Sequence, residues 1–202
     1  MRQAARIFSY ILHPYLVPIY VVLLMMVTGT VYHYYPLRMQ LYLVWVVVLY
    51  SAVLPILLIT SIKRLLRLRG RELPRRYRPV AIFVVGIVCF ALFATTMMKA
   101  PSLMLFRKMA VAGIMCNIYS LVILRFSRRI STHLTAMGAA TAIFTMLNIA
   151  GEQPLFWVLL GTLLASGMLA SAQLYLGRHR SLQLLAAYVG GFLVTAFAML
   201  YI

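Results

Sequence analysis

The chain has 202 residues, 64% of them hydrophobic and 10% charged, with a formal net charge of +17. That apolar fraction is far above the roughly 45–50% of a soluble domain and describes a polytopic membrane protein. So large a positive charge would suggest nucleic acid in a soluble chain, but the basic residues sit in short connections beside apolar runs. There they read as topology signals or lipid-phosphate ligands, and nucleic acid is not an expected partner.

A membrane-crossing helix needs about 20 mainly apolar residues. On that measure seven spans are expected: Ile11–Thr28, Leu41–Ser61, Val80–Met98, Leu103–Leu124, Leu134–Ile149, Leu155–Leu176 and Leu182–Tyr201. His13-Pro14 and Pro18 should kink the first and Pro55 the second, because proline removes a helix hydrogen bond. The first span is too long for a signal sequence and lacks a clear small-x-small cleavage site, so it is expected to be retained. Cys89 and Cys116 lie inside apolar runs and read as packing residues, not as a disulfide or metal site. In the late helices Ala136 and Ala140, and Ala186 and Ala187 with Gly190 and Gly191, are four apart. Such spacing allows close helix approach, expected here within one bundle. Neither a linker nor a repeat divides the chain, so residues 1–202 are read as one all-α integral membrane bundle of about seven helices.

The basic residues divide unequally between the two sides. Arg2 and Arg6, the eight from Lys63 to Arg78, Arg125, Arg128, Arg129, Arg178 and Arg180 make fifteen on one side. Arg38, Lys99, Arg107 and Lys108 make four on the other. The positive-inside rule then places the amino terminus and the three basic connections in the cytoplasm. A bacterial inner membrane is the expected location. The carboxylate inventory is equally informative. Glu72 and Glu152 are the only acidic side chains, which leaves almost no room for carboxylate-cradled magnesium, paired-carboxylate catalysis or Asp-based proton relays.

The connections after the second, fourth and sixth spans share the basic side. They hold Arg71-x6-Arg78-Pro79, Ser131-Thr132-His133 and His179-x3-Gln183. Guanidinium forks bind phosphate oxygens bidentately, and the amides of a helix amino terminus add donors. His179 and Gln183 are four apart, one turn on a helix, so the Gln183 carbonyl could accept the Nδ1 proton of His179 and orient its ring. His13 and His33 lie outside this constellation and are read as structural or interfacial. Ser131 also suits the N-cap of the fifth helix.

In order and spacing these three segments resemble the type 2 phosphatidic acid phosphatase superfamily. Its pattern is Lys-x6-Arg-Pro, then Pro-Ser-Gly-His, then Ser-Arg-x5-His-x3-Asp. Here the segments read Arg71-x6-Arg78-Pro79, Ile130-Ser131-Thr132-His133 and Ala172-Gln173-x5-His179-x3-Gln183. The resemblance covers residues 71–183 and implies a six-helix phosphatase-like core with one further helix. It implies His179 as the nucleophile that becomes a phosphohistidine and His133 as the general acid. Arg71 and Arg78 would hold the phosphoryl oxygens, with Ser131 assisting and Gln183 supporting His179. The implied substrate is a membrane lipid phosphate or isoprenoid phosphate, and the implied chemistry needs neither metal nor cofactor.

This sequence departs from the pattern at two functional positions. Gln173 stands where the family has arginine, and Gln183 where it has the acid that supports the nucleophile. A neutral amide sets a tautomer but stabilises imidazolium charge less than a carboxylate does. The alternative expectation is therefore a catalytically inactive relative that binds or carries anionic lipid, or a membrane-complex subunit.

Overall fold

The computed structural model describes residues 9–28, 30–68, 78–98, 103–126, 130–151, 155–177 and 180–201. Its elements are helical, and no strand occurs among the described residues. In chain order the helices are α1 (Val17–Val27), α2 (Leu37–Leu68), α3 (Arg78–Met97), α4 (Met104–Phe126), α5 (Thr132–Ile149), α6 (Phe156–Tyr175) and α7 (Ser181–Tyr201). Pro79 at the start of α3, Leu124 near the end of α4 and His133 at the start of α5 line one cavity, and the end of the bundle they mark is called here the basic end. Among the described residues this end carries Lys63, Arg64, Arg67, Arg78, Arg125 and Arg180, all exposed.

Among the described residues five helices, α2, α3, α4, α6 and α7, are long and apolar enough to cross a membrane. Of the seven spans expected, those that correspond to α1 and α5 are not among these five. Helix α1 has 11 residues, about 16 Å of helix against about 30 Å of hydrocarbon. The chain breaks from helix at His13, and the His13 carbonyl accepts from Leu16 N–H (2.8 Å) and Val17 N–H (3.2 Å). Pro18 then falls in the first turn of α1, where its missing N–H costs nothing. Helix α5 has 18 residues, more than half of them buried. Its wall is Thr, Ala and Gly as much as Ile and Leu, because its neighbours are other helices.

The kink expected at Pro55 takes a specific form. Residues Leu49–Val53 make a π turn inside α2, and the Leu54 N–H reaches back to the Leu49 carbonyl. A proline ring at position 55 would collide with the carbonyl four residues earlier, Ser51, in a regular helix. The wider turn relieves this, and Ser51, itself buried, donates its hydroxyl to the Tyr15 carbonyl at 3.1 Å. The π turn thus ties α2 to the turn that precedes α1.

Helices α5 and α7 form the most extensive interface of the bundle, followed by α3 with α4 and α4 with α7. Glycines permit the closest approaches. A methyl group at Gly138 would overlap the Tyr188 carbonyl, and one at Gly191 would overlap the Thr135 carbonyl. The Tyr119 ring lies on Gly190, and its hydroxyl donates to the Ala186 carbonyl at 2.9 Å. Gly138, Gly190 and Gly191 therefore pack within the chain, and Ala140 and Ala187 are buried with them, whereas Ala186 is exposed. At the opposite end, Lys108 Nζ donates to the Met199 carbonyl at 2.9 Å, placing a cation on the carbonyl end of α7, where the helix dipole favours it. His33 serves as a cap: its ring Nδ1 pairs with the Met26 carbonyl at 2.8 Å at the end of α1.

Candidate functional site

The basic end of α5 starts from sequence chemistry that favours a helix stop and start. Ser131 is the N-cap, its hydroxyl accepting from Leu134 N–H at 3.4 Å. The same hydroxyl donates to Gln173 Oε1 of α6 at 2.6 Å, and both side chains are buried. A serine has one hydroxyl hydrogen, and here it is given to Gln173. Contact between that hydrogen and a phosphoryl oxygen would require this bond to break. Gln173, at the position where the resembled family has arginine, thus fastens α6 to the start of α5.

His133 follows two residues later and is half-buried. Its ring meets the ring of His13 edge-on, with centroids 5.5 Å apart and planes at 78°. Both line a central cavity of about 560 Å³. At the basic end its wall contains Pro79, Leu124, Ile130 and Thr132 as well as the two histidines. Deeper in the bundle it contains Phe83, Phe90, Phe93, Met109 and Ile143. From Pro79 to Phe93 is fourteen residues of α3, so the cavity follows the bundle axis for about 21 Å. Polar groups along it include Tyr15, Ser51, Cys116, Asn117, Ser120, Thr135 and Thr195. Asn117 donates to the Gly113 carbonyl of its own helix at 2.8 Å, and its side chain occupies the space left by Gly86, where a Cβ would come within 2.7 Å of Oδ1.

A search of known protein families, curated proteins and solved structures finds no match to this chain. The site is therefore argued from its own residues.

Of the six residues expected to form a phosphate site, Arg78, Ser131, His133 and Gln183 are described, while Arg71 and His179 lie outside the described residues. Arg78 opens α3, exposed, one residue before the cavity-lining Pro79. Gln183 sits in the first turn of α7 and accepts from the Arg180 N–H through Oε1 at 3.2 Å. This is half of a capping box, in which a glutamine at the third helical position satisfies the N-cap amide. Helix α7 spans Ser181–Tyr201, and the expected pairing of Gln183 with His179 lies outside the described residues. Both acidic residues, Glu72 and Glu152, also lie outside the described residues. Among the described residues no group of three or more His, Cys, Asp or Glu side chains is placed to hold a metal ion.

Sequence reasoning set His13 apart from the site, and the fold brings it to His133. A signal was available: His13 lies at the start of the first expected span, Ile11–Thr28, and so near the side expected to hold the three basic connections. It carries no motif spacing, however, and only packing brings the two rings together.

Proposed function

We propose that the protein binds a lipid or isoprenoid phosphate and hydrolyses it without metal. The phosphate would lie among the histidines and arginines of the basic end, with the hydrocarbon chain in the central cavity. The observation that carries this reading is the position of His133. It stands at the basic end of an apolar cavity long enough to take a lipid chain, beside the start of the helix that carries Arg78. A space of about 560 Å³ is of the size that takes one drug-sized ligand, about 300–1,000 Å³.

In the proposed reaction the imidazole of His179 attacks phosphorus and the bond from phosphorus to the lipid oxygen breaks. His133 gives its proton to that leaving oxygen, releasing the alcohol. Water then attacks the phosphohistidine, losing a proton to His133 and freeing phosphate and His179. Arg71 and Arg78 would carry the charge on the non-bridging oxygens throughout. Such preorganised cations stabilise the transition state, and a positioned acid contributes about 10²- to 10⁴-fold. The six-helix phosphatase-like core, the cytoplasmic placement of the basic end and a bacterial inner membrane belong to the same proposal.

A second reading, lipid-phosphate binding without turnover, is favoured by Gln173 and Gln183. Both occupy positions where the resembled family places charged groups, and both are engaged in holding helix ends. Phosphate release by purified protein, with a metal chelator present, separates the two. Hydrolysis predicts release that falls at least 10²-fold in His133→Ala and in His179→Ala, and that rises in Gln183→Asp. Full activity in either histidine variant would sink the hydrolase assignment, and binding without any release would leave the carrier reading.

A further inference from the structure

We infer that Asn117 is a specificity-determining residue of the central cavity. Its side-chain amide donates to a carbonyl oxygen on the ligand's chain, so the cavity takes a chain joined through an acyl ester or amide in preference to a purely hydrocarbon one. This rests on the reading above that an amphiphile lies in the cavity, which the hydrolase and carrier readings share. It adds to that reading a residue outside the three motifs.

The hydroxyls along the wall are already engaged. Ser51 donates to the Tyr15 carbonyl at 3.1 Å, Ser120 to the Cys116 carbonyl at 2.8 Å and Thr135 to the Ser131 carbonyl at 3.2 Å. Thr195 Oγ1 pairs with Cys116 Sγ at 3.3 Å. Asn117 is different. A side-chain amide has two N–H donors and a carbonyl with two lone pairs. Among the described residues Asn117 makes a single hydrogen bond, from Nδ2 to the Gly113 carbonyl one turn back on its own helix. Asparagine inside a membrane ordinarily bonds across to a neighbouring helix. The residue that faces Asn117 on α3 is Gly86, which has no side chain to offer. The second N–H therefore belongs to a cavity-lining side chain and has no partner among the described residues. An unmet donor costs free energy where water is scarce, and a ligand oxygen offsets that cost.

The amide is also held in place. Nδ2 is fixed by the Gly113 carbonyl, and Oδ1 lies where a Cβ at Gly86 would come within 2.7 Å. Its depth follows from two helices independently. Asn117 is seven residues from the cavity-lining Leu124 on α4, and Gly86 is seven residues from Pro79 on α3. Each spacing corresponds to about 10 Å from the basic end. Beyond that level the wall is largely apolar, with Phe90, Phe93, Met109 and Ile143. A donor thus stands between the mouth, where a charged head group would sit, and a deep half that suits hydrocarbon. A glycerol unit and its ester bridge that interval and bring a carbonyl to Asn117. A prenyl chain brings only hydrocarbon.

Titration calorimetry of the full chain in non-ionic detergent tests this with two hydrolysis-resistant probes. One is glycerol phosphonate carrying an octanoyl ester; the other is the same phosphonate carrying an octyl ether, which lacks the carbonyl. The wild type should bind the ester more tightly than the ether. Asn117→Leu should lower the ratio of ester to ether affinity by about three- to tenfold, the range for one net hydrogen bond, through a loss for the ester alone. Gly86→Ala displaces the amide without removing it and should lower the same ratio, so a folding defect in one variant does not obscure the result. An unchanged ratio in both variants overturns the inference, as does wild-type protein that binds the ether as tightly as the ester. Failure of the underlying reading looks different. Wild-type protein that binds neither probe removes the amphiphile from the cavity and the inference with it. Ester and ether bound equally keep the amphiphile and remove the role of Asn117.

Discussion

Ser131 uses one oxygen for two contacts, accepting at the start of α5 and donating to Gln173. Removing it costs the cap, about 1 kcal/mol, and leaves the buried Gln173 carbonyl oxygen unsatisfied, about 1–3 kcal/mol more. Ser131→Ala should therefore be destabilised by about 2–4 kcal/mol in denaturant unfolding of the detergent-solubilised protein. Gln173→Leu placed in the Ser131→Ala background should restore part of that loss, because the orphaned acceptor is then gone. Strict additivity of the two substitutions would show that the bond is not an energetic unit. At this scale the sequence was partly legible. The N-cap role of Ser131 follows from a serine directly before an apolar run. Its partner Gln173 does not, because 42 residues separate the two and only the antiparallel packing of α5 against α6 brings them together. Gln183 likewise accepts from the Arg180 amide, a cap contact that its spacing from His179 did not announce.

Among the elements, the packing of α5 against α7 depends on Gly138 and Gly191. In lipid there is little hydrophobic drive between helices, so close backbone approach carries the association. The obstructing atoms are main-chain carbonyls, which cannot rotate aside as a flexible side chain would. Gly138→Ala and Gly191→Ala should each cost about 1–3 kcal/mol, the range for overpacking. Gly161→Ala and Gly167→Ala meet nothing within 4 Å on α6 and should be neutral or stabilising by up to about 1 kcal/mol, from helix propensity alone. Thermal unfolding of the four variants checks this, and equal losses at all four would contradict the packing account. The small-residue spacing announced a close interface. It did not reveal that Gly191 faces α5 while Gly190 faces Tyr119 of α4, since adjacent residues on a helix diverge by about 100°. Pro55 likewise announced a disturbance in α2, and its resolution as a π turn holding Ser51 against Tyr15 depended on where α1 begins.

Across the whole molecule the charge asymmetry predicts an orientation. If the basic end faces the cytoplasm, a cysteine placed at Arg67 should react with a membrane-impermeant maleimide only after cells are opened. One placed at Arg38 should react in intact cells. The native Cys89 and Cys116 lie in α3 and α4, within the bundle. The reverse labelling pattern would place the basic end outside and move the proposed substrate to the other leaflet.

Composition and hydropathy alone determined that this is a helical membrane protein, because lipid leaves the backbone no other partners than its own. Loop parity and the count of Lys and Arg alone led to the expectation of three basic connections at one end. Tertiary structure decided what stands there. Among the described residues five helices are long and apolar enough to cross a membrane, while α1 has 11 residues and more than half of α5 is buried. Tertiary structure also set His13 beside His133 at the basic end of an apolar cavity. The physical reason is that hydrophobic periodicity marks which residues leave water or lipid, whereas the meeting of two side chains across 120 residues depends on how helices cross, and glycine contacts and a proline-induced turn set those crossings.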